Sequence, residues 1–244
     1  MSDSHPQRII LIDLLRGIAI AMMFVYHFCF DLTYFGYTHS QFNSDPFWLN
    51  FRAVIVSLFL GVVGFSLYLA HHRKWNKPAW LKRAGILIAA SVAVSASSYL
   101  MYPDSFIFFG ILHFIALASI LGVVFVRFGH LNLLLGTVIL LMGNHYGNDF
   151  FNQPAMQWVG MMTIRPITED YVPLFPWFGM ILIGIWLANW SINSQVFRPI
   201  LYWQNQHPIT STLCFAGRHS LLIYLLHQPI FLGLLYVVTI LIRS

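Results

Sequence analysis

Long apolar runs, each about the length of a membrane crossing and separated by short polar segments, organise this sequence. A helix that crosses a bilayer needs about 20 mostly apolar residues. By that measure seven spans are predicted: Ile9–Phe30, Phe51–Ala70, Ala84–Met101, Phe106–Val126, Leu131–Tyr146, Val172–Trp190 and Ser220–Ile242. The fifth has the shortest apolar core, Leu131–Gly143. The first is too long for a signal-peptide core, and Ala19-Ile20-Ala21 lies mid-helix, away from any credible cleavage position. Two connecting stretches are long enough to do more than connect. Asn144–Tyr171, rich in Asn, Gln and aromatic residues, is expected to cap the bundle on its outer side. Ser191–His219 carries Phe197, Ile200, Leu201 and Trp203, which predicts a short interfacial helix. Trp48, Trp75, Trp80, Trp158 and Trp203 fall near span ends, as an aromatic belt would place them. In the third span Ala89, Ala93 and Ser97 form a small-residue face predicted to pack closely.

Composition makes the membrane reading firm. The chain has 244 residues, of which 58% are hydrophobic and 9% charged, where a soluble domain carries about 25% charged residues. That deficit excludes a freely soluble globular domain and a disordered chain. The apolar residues run through the whole length, so one transmembrane domain over residues 1–244 is expected, an all-α polytopic helix bundle. The net charge of +5 does not point to nucleic acid, because no basic patch interleaved with aromatics lies outside the spans. With the N-terminus inside, nine of the 13 basic residues fall on the inner side: Arg8, Arg73, Lys74, Lys77, Lys82, Arg83, Arg127, Arg198 and Arg218. Arg52, Arg165 and Arg243 fall outside, as do most acidic residues. The positive-inside rule then predicts an N-in, C-out orientation, which an odd number of spans matches. The two cysteines, Cys29 and Cys214, are expected on opposite sides of the membrane and unpaired. No zinc-type spacing is present, and no metal is expected.

The exceptions to this charge pattern carry the chemistry. An ionisable residue inside a span costs about 2.5–3.5 kcal/mol on insertion scales, so it normally faces a partner or a wet cavity. Asp13, Arg16, His27 and Asp31 all lie in or at the end of the first span. At 3.6 residues per turn they project from one helix face. Asp13 and Arg16 are spaced for an i,i+3 ion pair near the inner surface. His27 lies ~16 Å farther along, where Asp31 is placed to accept a hydrogen bond from its ring and make it a general base. A packing clamp and a wetted interface histidine would carry the same spacing, and both readings stand at this point. His113 in the fourth span and His227 in the seventh add two more intramembrane histidines. Pro229, two residues beyond His227, frees a backbone carbonyl of that helix.

These residues sit in a familiar order. Ile12-Asp13-Leu14-Leu15-Arg16-Gly17-Ile18-Ala19, with Tyr26-His27 and Asp31-Leu32, resembles the opening of the heparan-alpha-glucosaminide N-acetyltransferase catalytic-domain family. Arg16 and His27 also match the Arg-x10-His pattern of the wider transmembrane acyltransferase superfamily. Further similar segments are Gly64-Phe65-Ser66-Leu67, Phe109-Gly110-Ile111-Leu112-His113, the run from Asp170 to Gly179, and the run from Gly217 to Pro229. The resemblance implies acetyl transfer from cytoplasmic acetyl-CoA to a sugar or glycan acceptor on the far side of the membrane. It maps the catalytic histidine to His27 and the matching arginine to Arg16; on the physical reading Asp31 orients His27, and His113 or Tyr26 lies at the depth of a donor to the developing oxyanion. Arg16, Asp13, Arg218, His219 and His227 are the residues assigned to donor binding, since arginine grips phosphate in a bidentate fork. An ordinary positive-inside anchor explains Arg218 equally well. The eukaryotic lysosomal members are longer, with a lumenal domain, so glucosamine specificity is not carried over. The expected location is a bacterial cytoplasmic (inner) membrane, with membrane lipid as surroundings and a homo-oligomer left open.

Two other classes compete. A small-solute or proton-coupled transporter would use the same polar stripe as its pathway, although no inverted repeat is evident. A b-type cytochrome would use His27, His113 or His227 as axial ligands.

Overall fold

The apolar runs all become helices. A computed structural model describes residues 8–73, 75–205 and 207–243, without the Arg243 side chain. Lys74 and that side chain, both used in the charge count above, lie outside the described residues. Among the described residues the helices are α1 (Ile10–Tyr34), α2 (Pro46–His71), α3 (Lys77–Met101), α4 (Ile111–Phe125), α5 (Leu131–His145), α6 (Leu174–Asn193), α7 (Arg198–Leu201), α8 (Pro208–Arg218) and α9 (Ser220–Arg243). Five of them, α1, α2, α3, α6 and α9, are long and apolar enough to cross a membrane, while α4 and α5 are shorter apolar helices. The chain is an all-α polytopic membrane bundle. The one β-type contact among the described residues is an isolated parallel bridge between Phe109 and Tyr171.

The chain divides into two compact units, Met1–Phe59 with Gln195–Ser244, and Leu60–Ser194. In the first, α1 packs against α8 and α9. Glycines let α1 and α8 meet backbone to backbone. A Cβ on Gly17 would stand 1.9 Å from the Leu213 carbonyl oxygen, and one on Gly217 would stand 2.0 Å from that of Asp13. Farther along α1, Ile20, Met23 and Tyr26 join Phe42 and Ile55 in a buried apolar cluster. Trp48 packs on this cluster, with its ring 4.3 Å from that of Phe42.

The second unit is built on α5, α6 and the C-terminal half of α2. Gly136 of α5 and Gly179 of α6 face each other's backbone, and Gly64 of α2 faces the Ile181 carbonyl. Two expectations are corrected here. The fourth helix starts at Ile111, not Phe106, because Gly110 breaks the run as N-cap and the Asp170 carboxylate accepts the Ile111 N–H at 2.8 Å. The close-packing face of α3 is also not the expected one. Ala89, Ala93 and Ser97 are exposed, and the buried stripe is Ala84, Leu87, Ala90, Ser91 and Ser98. Both stripes are small. The buried one carries hydroxyls that bond backbone: Ser91 donates to Leu87 O, and Ser98 accepts from the Ile107 N–H.

Of the two longer connections, Asn144–Tyr171 folds into two short 3-10 turns, Asp149–Asn152 and Gln157–Val159. The Tyr171 hydroxyl ties it down by donating to Gln157 O at 2.6 Å. Ser191–His219 holds the single turn α7 where the interfacial helix was expected, and in addition α8, whose apolar face seats Cys214 and Gly217 against α1. Cys29 and Cys214 are both free.

Candidate active site

Helix α1 carries two polar centres, and each is completed by a segment some 200 residues away in sequence. Towards its N-terminal end Asp13 is buried, with only 4% of its surface exposed. Arg8 Nε approaches its carboxylate at 2.6 Å, Arg16 Nη1 at 3.5 Å and Arg218 Nε at 3.6 Å. Arg16 also donates to the Gly217 carbonyl at 3.4 Å. The bond to Asp13 raises the Arg8 guanidinium above its ordinary value. One buried carboxylate thus gathers three guanidinium groups, leaving the cluster net positive. Arg8 and Arg218 stay half exposed, so they have donors to spare for an anion. The Asp13–Arg16 pair expected from i,i+3 spacing forms, and Arg8 is a member that spacing did not single out. His219 is exposed and packs on Phe215; it is not among the groups around Asp13.

Eleven residues beyond Arg16 on α1 stands the second centre. The His27 ring lies 4.9 Å, centroid to centroid, from that of His227 on α9, with the planes at 65°. Phe24 stacks on His227, and Phe231 meets the same ring edge-on. His227 is 4% exposed, and its Nδ1 donates to the Tyr224 carbonyl at 2.6 Å. The direct bond expected from His27 to Asp31 is replaced. Gln228 of α9 lies between them, its Nε2 3.4 Å from His27 Nδ1 and 3.5 Å from Asp31 Oδ1. Three buried atoms of this centre, Asp31 Oδ2, His227 Nε2 and Gln228 Oε1, have no protein partner. Buried polar atoms are nearly always paired, so orphans gathered in one place mark where a ligand or water belongs. Sequence reasoning placed His227 with the donor-binding residues, whereas it stands beside His27. It passed over Gln228 altogether, although the His227-Gln228-Pro229 motif was the available signal.

The expected His113 lies in the second unit, on α4. Its Nδ1 accepts the Gly110 N–H at 3.3 Å, and its Nε2 lies 3.0 Å from Ser95 Oγ, which itself donates to Ile107 O at 2.6 Å. Both ring nitrogens are therefore engaged at the start of α4, the N3 half of a capping box.

Farther along the chain, an open surface depression of about 290 Å³ lies between the C-terminal end of α1 and the following loop, lined by none of the histidine-centre residues. Phe30, Thr33, Tyr34, Gln41 and Asn43 are among its lining residues, none of which is charged. No group of three or more His, Cys, Asp or Glu side chains suited to a metal occurs among the described residues.

Comparison with known proteins adds the family. The model of the catalytic domain of heparan-alpha-glucosaminide N-acetyltransferase matches residues 8–229. No curated protein and no solved structure matches the chain. The matched stretch begins at Arg8 and ends at Pro229, so it contains both polar centres entire. A match over nearly the whole length shows that the chain belongs to the heparan-alpha-glucosaminide N-acetyltransferase catalytic family, and with it to the membrane acetyltransferases.

Proposed function

We propose that this protein transfers an acetyl group from acetyl-CoA on the cytoplasmic side to a sugar or glycan hydroxyl or amine on the outer side. On this reading it acts as one N-in, C-out transmembrane domain of a bacterial inner membrane. The observation that carries the proposal is helix α1, with an arginine cluster at one end and a histidine pair eleven residues on. That rise of ~16 Å is of the order of an extended pantetheine arm. A donor whose phosphates meet Arg8, Arg16 and Arg218 would deliver its thioester at His27. Arg16 is tied to Asp13, so its fork is held in place before the phosphate arrives.

At the far end the acceptor's N–H or O–H must lose its proton as it attacks the thioester carbonyl, which suits an imidazole. The base expected at His27 is one member of a pair with His227. The absence of charged residues from the open depression that follows α1 is compatible with a neutral polyol acceptor. His113, with both ring nitrogens occupied, serves the start of α4 on this reading rather than the oxyanion. A cytochrome reading has less support: rings in edge contact at 4.9 Å have no porphyrin-width gap between them. No observation favours a transporter.

The test is purified protein in nanodiscs with acetyl-labelled acetyl-CoA and a panel of neutral and anionic glycans. We expect acceptor-dependent release of CoA and movement of label onto a neutral sugar. His27→Ala loses the transfer while keeping donor binding, and Arg16→Ala weakens donor affinity. Solute flux in proteoliposomes without acetyl transfer would overturn the proposal.

A further inference from the structure

The hydrogen bonds around the two histidines assign their protons. A backbone carbonyl can only accept, so the 2.6 Å contact of His227 Nδ1 with Tyr224 O places the ring proton on Nδ1. In the neutral imidazole, Nε2 of His227 then holds a bare lone pair. That atom is buried and has no protein partner. At His27 the opposite holds. With Asp31 ionised its carboxylate can only accept, so the Gln228 amide turns its nitrogen, not its oxygen, to Asp31. The two hydrogens of that nitrogen reach Asp31 Oδ1 and His27 Nδ1 together. His27 Nδ1 therefore accepts, and its ring proton sits on Nε2. Two imidazoles in ring contact are held in opposite tautomers, one poised to take a proton and the other to give a hydrogen bond.

We propose that Nε2 of His227 is the proton acceptor of the acyl transfer, and that His27, oriented by Gln228 and Asp31, donates its Nε2–H to the thioester carbonyl oxygen. The assignment rests on the acetyl-transfer reading above and adds a second catalytic histidine with a divided role. As the acceptor's nitrogen or oxygen bonds to the acetyl carbon, its proton passes to His227 Nε2. The carbonyl oxygen becomes an oxyanion held by His27. Collapse of the adduct breaks the carbon–sulfur bond, and the CoA thiolate takes the proton back from His227. The products are the acetylated acceptor and CoA thiol, and both histidines return to their starting tautomers. Gln228 is a positioning residue, since it acts through His27 and not on the reacting atoms.

Two measurements test this together. Solid-state NMR of the wild-type chain labelled with ¹⁵N-histidine, assigned with single-histidine variants, reads the tautomers without requiring turnover. The expected result is Nδ1–H at His227 and Nε2–H at His27, the latter lost in Gln228→Leu. Kinetics then separate the roles. His227→Gln, which keeps the size and polarity but cannot take the proton, should lower kcat by about 10²–10⁴-fold with donor affinity unchanged. His27→Gln retains an N–H donor and should keep more activity than His27→Leu, which loses about 10²–10³-fold. Nε2–H at His227, or a larger loss in His27→Gln than in His227→Gln, would overturn the assignment. An active wild type with an active His227→Gln overturns this assignment alone, whereas a wild type unable to transfer acetyl to any acceptor overturns the reading on which it rests.

Discussion

Gly17→Ala is the sharpest test of how the N-terminal end of α1, the proposed donor end, is held. The new Cβ would stand 1.9 Å from the Leu213 carbonyl oxygen, and ordinary contact lies near 3.4 Å, so α1 and α8 must part by about 1.5 Å. Backbone stands on the far side of the clash, so no rotamer change can absorb it. Overpacking costs typically 1–3 kcal/mol, and a clash with backbone belongs at the upper end. Against this stands the helical gain of Gly→Ala, about 0.5–1 kcal/mol. The net expected loss is about 2 kcal/mol, or about 4–8 °C in Tm for a chain of this size. Gly85→Ala is the internal control, because nothing lies within 4 Å of its Cβ and only the helical gain applies. Melting temperatures of both variants in one detergent give the comparison. Separation of the helices also stretches the contacts from Arg16 to Gly217 O and from Arg218 to Asp13, so acetyl-CoA affinity should fall in Gly17→Ala and hold in Gly85→Ala. Equal Tm values for Gly17→Ala and the wild type would refute the close backbone approach and the donor-site argument built on it.

The remaining predictions concern the second unit. His113→Leu fills the same space but leaves the Gly110 N–H unpaired, a loss of about 1–2 kcal/mol in denaturant unfolding; kcat per folded molecule should stay at the wild-type value, and a hundredfold fall would return His113 to the oxyanion. Burial pushes the Tyr171 phenol up to about 12, partly offset by Arg165. A raised phenol favours the neutral folded form, so its contribution is complete below about pH 10, the unfolded value, and is lost as pH rises towards 12. Melts between pH 8 and 11.5 should fall more steeply for the wild type than for Tyr171→Phe, which also lacks the bond to Gln157 O. Identical slopes would contradict the burial argument.

What could be read from the sequence follows from which forces act within one helix. Span positions depend on local apolarity, and the runs seen in sequence become helices. The α1 stripe depends only on the 3.6-residue period, so the Asp13–Arg16 pair was visible and forms. Features that depend on a second segment were hidden. The apolar run from Phe106 into α4 is interrupted only by Gly110, and the Asp170 carboxylate, distant in sequence, completes the reason why the helix waits until Ile111. On α3 both faces carry small residues, and the bonds of Ser95 and Ser98 to Ile107, outside the helix, mark the buried one. The rotation of α9 that brings His227 to His27 leaves no trace in hydropathy.

The histidines show why residue type alone could not finish the argument. His27, His113 and His227 all read as intramembrane histidines, yet each is defined by the atom facing its Nδ1. A backbone N–H faces it at His113, a carbonyl at His227 and an amide nitrogen at His27. The first makes Nδ1 an acceptor and spends Nε2 on Ser95. The second fixes the proton on Nδ1 and leaves Nε2 basic. The third forces the proton onto Nε2, and does so only because Asp31 fixes which way the Gln228 amide points. Asp31 thus influences the chemistry one residue removed from where its i,i+4 spacing suggested, through an amide contributed by a helix almost 200 residues later. Proton direction is a property of partners, and those in direct contact with the rings come from α9 and the α4 N-terminus, with Asp31 of α1 acting through Gln228.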